Sequence, residues 1–313
     1  MAHYLIEQGY IPWDKSWIIR MGVQDLLSGG VDHYEDSMNF LRRHEGGLND
    51  DLTALSKALP AFRYDWLVGV GESATLYRFL KFASWKRGVK RAFLHRGTLS
   101  RRISNGMICN KPDIVDYPQA ELLKLDNGTT QWASAAAICG DEERLENPRP
   151  KLALTYEAIG HWRQRRGTGM CWEPRRDSTI LAQAAAFLEL LNTGSTGFVS
   201  KEAEDYCFAR AFDLGDWKGM EREWTSLLGH ESVRTDEMGR ALERAGRGES
   251  IGSRDHRVVQ AVAMLKKYRG QELRMDYPEA VNKSWPEFFE FLKESPRLKG
   301  MQAGASGIMR PVL

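Results

Sequence analysis

The chain alternates short apolar runs with stretches in which apolar residues recur every three or four positions. The first pattern predicts strands and the second predicts amphipathic helices. Helices are expected over residues 18–27, stopping at Ser28-Gly29-Gly30, over 52–59, closed by Pro60, and over 76–85. Further helices are expected over 130–139 (alanine-rich), 155–165, 179–191, 203–212, 258–267 and 285–294. Strands are expected at 66–70, leading into Gly71, at 91–94, and ending at Phe198-Val199. Residues 239–253, with glycines and serines among arginines and glutamates, read as a loop. The strand–helix alternation predicts an α/β architecture.

Composition narrows this. The chain has 313 residues and is 42% hydrophobic, enough for a sizeable core in one large domain or two ordinary ones. Mean hydropathy is −0.47, and no apolar run approaches the ~20 residues of a membrane span. The opening residues lack a basic stretch followed by an apolar one, so no signal peptide is expected. Cys109, Cys139, Cys171 and Cys207 are scattered, which suggests neither a zinc site nor a disulfide framework and fits a reducing, cytoplasmic setting. Net charge is only +2. Cations cluster locally, as at Lys86-Arg87 and Lys90-Arg91, but they are interleaved with acids. No nucleic-acid partner is expected, and no membrane partner.

Four segments could carry chemistry. Asp14-Lys15-Ser16, with Arg20 one turn on, gathers cations at a helix start, where N–H groups favour anions. Gly71-Glu72-Ser73-Ala74-Thr75, with Arg78 beyond it, follows a strand and opens a helix, a context in which a glycine turn can cradle a phosphate or carboxylate. The others are Asp255-His256-Arg257 and Lys283-Ser284-Trp285-Pro286-Glu287-Phe288-Phe289. Each alone is also explained by a capped helix or a tight turn.

Their order resembles the 5-enolpyruvylshikimate-3-phosphate (EPSP) synthase family. Asp14, Lys15, Ser16 and Arg20 resemble its opening motif, and Asp50-Asp51-Leu52-Thr53 an acidic step before a helix. Gly71, Thr75 and Arg78 resemble its glycine motif. Residues 98–102, Thr129-Thr130-Gln131, Asp177-Ser178-Thr179-Ile180 and Lys201-Glu202 resemble further motifs, and Asp255–Arg257 with Lys283–Phe289 the last two. The resemblance implies a two-domain α/β enolpyruvyl transferase-like fold built from βαβαββ units, with about one unit missing. One domain would comprise residues 1–14 and 165–313, and the other residues 15–164.

The implied reaction moves the enolpyruvyl group of phosphoenolpyruvate onto shikimate 3-phosphate, on the way to chorismate and the aromatic amino acids. It needs no metal and no cofactor. Lys15, Asp177, Glu202 and Lys283 would be catalytic, with Asp177 as base and Glu202 as proton donor. Ser16, Arg20, Gly71, Ala74, Thr75, Arg78, Arg102, Thr129, Thr130, Gln131, Lys201, His256 and Arg257 would bind substrate. The alanine at position 74, where the family has glycine, predicts weak inhibition by glyphosate. The family's arginine after the Lys201-Glu202 motif is absent, with Asp205 in its place and Arg210 further on. Alternatives are another acceptor or a non-catalytic homologue. The expected state is a monomer or weak homodimer.

Overall fold

The computed structural model describes residues 1–28, 31–140, 152–168, 173–201, 203–225, 234–295, 301–303 and 309–311. In chain order the helices and strands are α1 (Ala2–Glu7), α2 (Lys15–Leu27), α3 (Val31–Arg43), α4 (Asp50–Tyr64), β1 (Leu67–Gly71), α5 (Ala74–Lys86), β2 (Ala92–His95), α6 (Gly97–Ser104), α7 (Gln119–Leu122), α8 (Gln131–Ile138) and α9 (Ala153–Thr168). They continue with α10 (Ser178–Thr193), α11 (Tyr206–Phe212), α12 (Trp217–Thr225), α13 (Arg234–Gly246), α14 (His256–Tyr268), α15 (Phe288–Glu294), β3 (Met301–Ala303) and β4 (Met309–Pro311). The chain forms two compact units, residues 13–175 and residues 1–12 with 176–313.

The unit of residues 13–175 is built round α2. Every residue from Trp17 to Leu26 is buried, so α2 has no solvent face. Helices α3, α4, α5, α8 and α9 pack on it. Gly22 lets α4 approach, since a Cβ there would lie 3.3 Å from Leu59 Cδ1. The central helix carries buried polar groups, and these are paired, as burial demands. Arg20 donates to Thr155 Oγ1 (2.9 Å) and to the Ser16 carbonyl (2.8 Å). Burial lowers the Arg20 guanidinium to about 10, opposed by Asp14, so it stays charged at neutral pH. Asp25 accepts from Ser37, Trp162 and Arg165. Burial still raises its carboxyl against those partners.

One βαβ element lies within this unit. β1 and β2 pair in parallel, with Leu67 opposite Ala92 and Val68 opposite Phe93, and α5 connects them. The apolar runs and flanking glycines of these strands read correctly from the sequence. The Trp85 ring of α5 stacks on Trp132 of α8 at 5.9 Å.

In the other unit, α14 is the central helix, buried from Arg257 to Lys266. The N-terminal segment joins this unit through backbone bonds. Trp285 Nε1 donates to the Tyr10 carbonyl (2.6 Å), Asp177 N to Pro12 (2.9 Å), and Arg176 to Ile11 (2.8 Å). β3 and β4 form a short antiparallel pair.

The expected two-domain α/β fold of βαβαββ units is not what the chain builds. Among the described residues 67% are helical and the only sheets have two strands each, so the architecture is mostly helical. Other corrections follow local physics. Residues 239–253 are not all loop, because α13 runs to Gly246 with Met238, Ala241 and Ala245 buried at helical spacing. Pro60 does not close α4, which continues to Tyr64 and forgoes one internal bond. Phe198-Val199 belongs to no strand. The helix expected from 285 starts at Phe288, after a 3₁₀ turn over Pro278–Lys283.

Candidate functional site

Four helices of the unit of residues 13–175 begin near the carboxyl ends of β1 and β2: α2, α4, α5 and α6. Specific contacts hold these starts together. Lys15 Nζ on α2 lies 2.6 Å from Asp51 Oδ2 on α4. A Cβ on Gly71 would be 3.4 Å from Ala54 of α4. The Arg96 N–H donates to the Gly71 carbonyl (2.9 Å). Glu72 Oε2 accepts from the Thr98 N–H (3.2 Å) and hydroxyl (3.0 Å) at the start of α6. Gly97 sits at φ +57° with Glu72 so close that a Cβ would be 1.9 Å from Oε1.

Helix starts leave N–H groups without intrahelical acceptors, and side chains usually take one of them. Three of these four do so. Asp14 accepts from Trp17 N, Asn49 from Leu52 N, and Glu72 from Thr98 N. The fourth, α5, is different. Ser73 is its N-cap but makes no side-chain capping bond. Its hydroxyl is buried, with the residue 2% exposed, and has no hydrogen-bond partner among the described residues. The first N–H groups of α5 therefore have no capping side chain from Ser73.

The charges around it are mixed. Asp50, in the first turn of α4, has its carboxyl raised above the ordinary aspartate range, first by partial desolvation, then by Asp51; Glu72 adds to this, while Arg96 and Lys15 oppose it. With Asp50 ionised the set holds three acids (Asp50, Asp51, Glu72) and two cations (Lys15, Arg96). A proton on Asp50 reduces the local excess of negative charge, to which Asp14 at the α2 start also contributes.

The expected site residues fall into three groups. Lys15, Gly71, Ala74 and Thr75 come together at this end of the unit, with Ser16 one residue behind Lys15. Arg102 lies further along α6. Arg78 is fully buried, bonded to Asp126 (2.6 Å) and to Gln131, and Thr129 and Thr130 lead into α8 next to Gln131. Arg20 is committed to Thr155. Arg78 and Arg20 thus hold the core together.

In the other unit, Asp177 caps α10 by accepting from Ile180 N (2.8 Å), and Arg257 NH2 lies 4.0 Å from it. His256 and Arg257 open α14, which Asp255 caps. Burial pushes Asp255 up, but Arg234, together with the N–H groups of Arg257 and Val258, outweighs it and leaves the carboxyl below its usual value. Lys201 is exposed, and its N–H bonds Asp205 (3.0 Å). Lys283 ends the 3₁₀ turn. Glu202 lies outside the described residues. No cluster of His, Cys, Asp or Glu suited to a metal occurs among the described residues.

Ser73 and Glu287 lie inside segments that the sequence singles out for other residues, and Arg96 lies in none of them. Arg96-Gly97 after a strand was a usable signal. Glu287 is half-buried, its carboxyl pushed up to about 7, mainly by burial, although Arg176 opposes the shift. Comparison with protein-family models, curated proteins and solved structures found no match.

Proposed function

We propose that this protein is an enzyme that binds a phosphate-bearing substrate at the start of α5 and transfers a proton through Asp50. The observation that carries this reading is the uncapped α5 start, with the buried, unpartnered hydroxyl of Ser73, beside the Lys15–Asp51 pair. Helix N-termini favour phosphate through both their free N–H groups and their dipole. Lys15, held by Asp51, adds a full positive charge. Asp50, raised above the usual range, keeps its proton closer to neutrality than an ordinary aspartate and is suited to general acid–base work.

In this reading the phosphate accepts from the Ser73 hydroxyl and the first N–H groups of α5. Asp50 gives a proton to the reacting atom or takes one from it, and Lys15 neutralises charge that develops on oxygen. Enolpyruvyl transfer from phosphoenolpyruvate to shikimate 3-phosphate is a specific reaction of this kind suggested by the sequence motifs. It stands on those motifs alone, without the family's fold.

The test is phosphate release from phosphoenolpyruvate by purified protein, with and without shikimate 3-phosphate, for wild type and Asp50→Asn. Acceptor-dependent release that falls at least about 100-fold in Asp50→Asn supports the specific reaction. Unchanged release in Asp50→Asn overturns the role of Asp50. Binding of phosphoenolpyruvate without release keeps the site and removes this reaction.

A further inference from the structure

The opposite end of the same two strands carries a second feature. A cleft of about 570 Å³ opens where β1 and β2 begin, with Trp66, Lys81, Trp85, Lys90 and Arg91 among its lining residues. That volume is in the range of ligand sites. Trp66 is 70% exposed, although a tryptophan is usually well buried. Trp85, by contrast, is fixed by its stack on Trp132. The Lys81 ammonium sits 5.2 Å from the Trp85 ring centre and 5.3 Å from that of Phe93. Arg91 is anchored by its bond to the Phe62 carbonyl (3.0 Å). None of the described residues lining the cleft is acidic, and the adjoining stretch from Lys86 to Arg91 holds four cations and no acid.

We propose that this cleft binds single-stranded nucleic acid, with a base stacked on Trp66 and phosphates held by Lys90, Arg91 and Lys81. An exposed flat ring beside a basic track is the chemistry that recognises unpaired bases and their backbone. A duplex hides the base faces that Trp66 would contact. A free nucleotide would use only part of this surface, because Lys81, Lys90 and Arg91 all line the cleft and offer more cationic contacts than one phosphate needs. This departs from the expectation of no nucleic-acid partner, which rests on cations that look scattered along the chain; the fold brings Trp66, Lys81 and Lys90 to one cleft.

The experiment is fluorescence anisotropy of a labelled 12-nucleotide thymidine strand at 50 and 200 mM NaCl, with duplex DNA and thymidine monophosphate as competitors. Trp66→Ala is expected to weaken binding about 5- to 150-fold, and Trp66→Phe to retain most of it. Lys90→Gln is expected to reduce the slope of log affinity against log salt by about 0.7. Both residues are exposed, and circular dichroism checks that the variants keep the fold. No binding at about 100 μM protein in low salt, wild-type affinity in Trp66→Ala, or preference for duplex would overturn the proposal. Equal affinity for the monophosphate and the 12-mer would also overturn it, by making the site one for a free nucleotide.

Discussion

The Lys15 ammonium lies 2.6 Å from the Asp51 carboxylate, joining the first turn of α2 to the first turn of α4. Both side chains are largely shielded, with 19% and 9% exposure. Removing the lysine leaves a shielded carboxylate without its cation. Lys15→Met is therefore expected to cost about 1.5–3 kcal/mol, the range for hydrogen bonds to charged groups. The double variant Lys15→Met/Asp51→Leu should cost clearly less than the sum of the single changes. Urea unfolding of the three variants checks this.

Ser73 should behave in the opposite way. Its buried hydroxyl has no partner among the described residues, so losing it removes a desolvated polar group and no capping bond. Ser73→Ala is expected to be as stable as wild type, or more stable by up to about 1 kcal/mol. It should bind phosphate compounds more weakly. A drop in stability would show that the hydroxyl supports the free protein, which the proposed role does not predict.

Gly97 has two reasons to be glycine. Its φ is +57°, and a Cβ would meet the Glu72 carboxylate. The backbone conformation alone costs about 1–2 kcal/mol for a residue with a side chain, and moving Glu72 also uncaps α6. Gly97→Ala should lower the urea midpoint by more than the backbone figure alone implies.

Much of the secondary structure was legible in the letters. The apolar stretches of α2, α5, α10 and α14 and the runs of β1 and β2 mark these elements in the letters. The fold class was not legible. Motifs such as Asp14-Lys15-Ser16, Asp177-Ser178 and Asp255-His256-Arg257 look like fragments of a catalytic family, yet each supplies an N-cap aspartate: Asp14 to α2, Asp177 to α10 and Asp255 to α14. A cap and a substrate contact use the same residue types at a helix start, so spacing alone cannot separate them. The charged helix α13 was hidden because its buried stripe is only Met238, Ala241 and Ala245 among arginines and glutamates. The candidate site depended on which of four helix starts lacks a cap, and that is a fact of geometry.

Glu287 gives a stability prediction with a definite sign. Its carboxyl is raised to about 7 by burial, against about 4.3 in an unfolded chain. Between these values the folded state holds a proton that the unfolded state has released, so stability falls as pH rises from about 4.3 to 7 and then levels. The total loss is at most about 4 kcal/mol. Glu287→Gln should match wild type near pH 4 and exceed it in thermal midpoint at pH 8. Equal midpoints at pH 8 would show that the carboxyl is not held in its neutral form.

The direct test of the proposed site is calorimetric titration of phosphoenolpyruvate into wild type, Ser73→Ala, Lys15→Met and Asp50→Asn at pH 5.5, 6.5 and 7.5. Because Asp50 is raised by its desolvation and by Asp51, an anion beside it should raise it further, while the ligand's own phosphate titration near pH 6 is common to all variants. The account predicts measurable binding by wild type, at least about tenfold weaker binding by Ser73→Ala and Lys15→Met, and a ratio of wild-type to Asp50→Asn affinity that falls as pH rises. Wild-type affinity in both Ser73→Ala and Lys15→Met would contradict it.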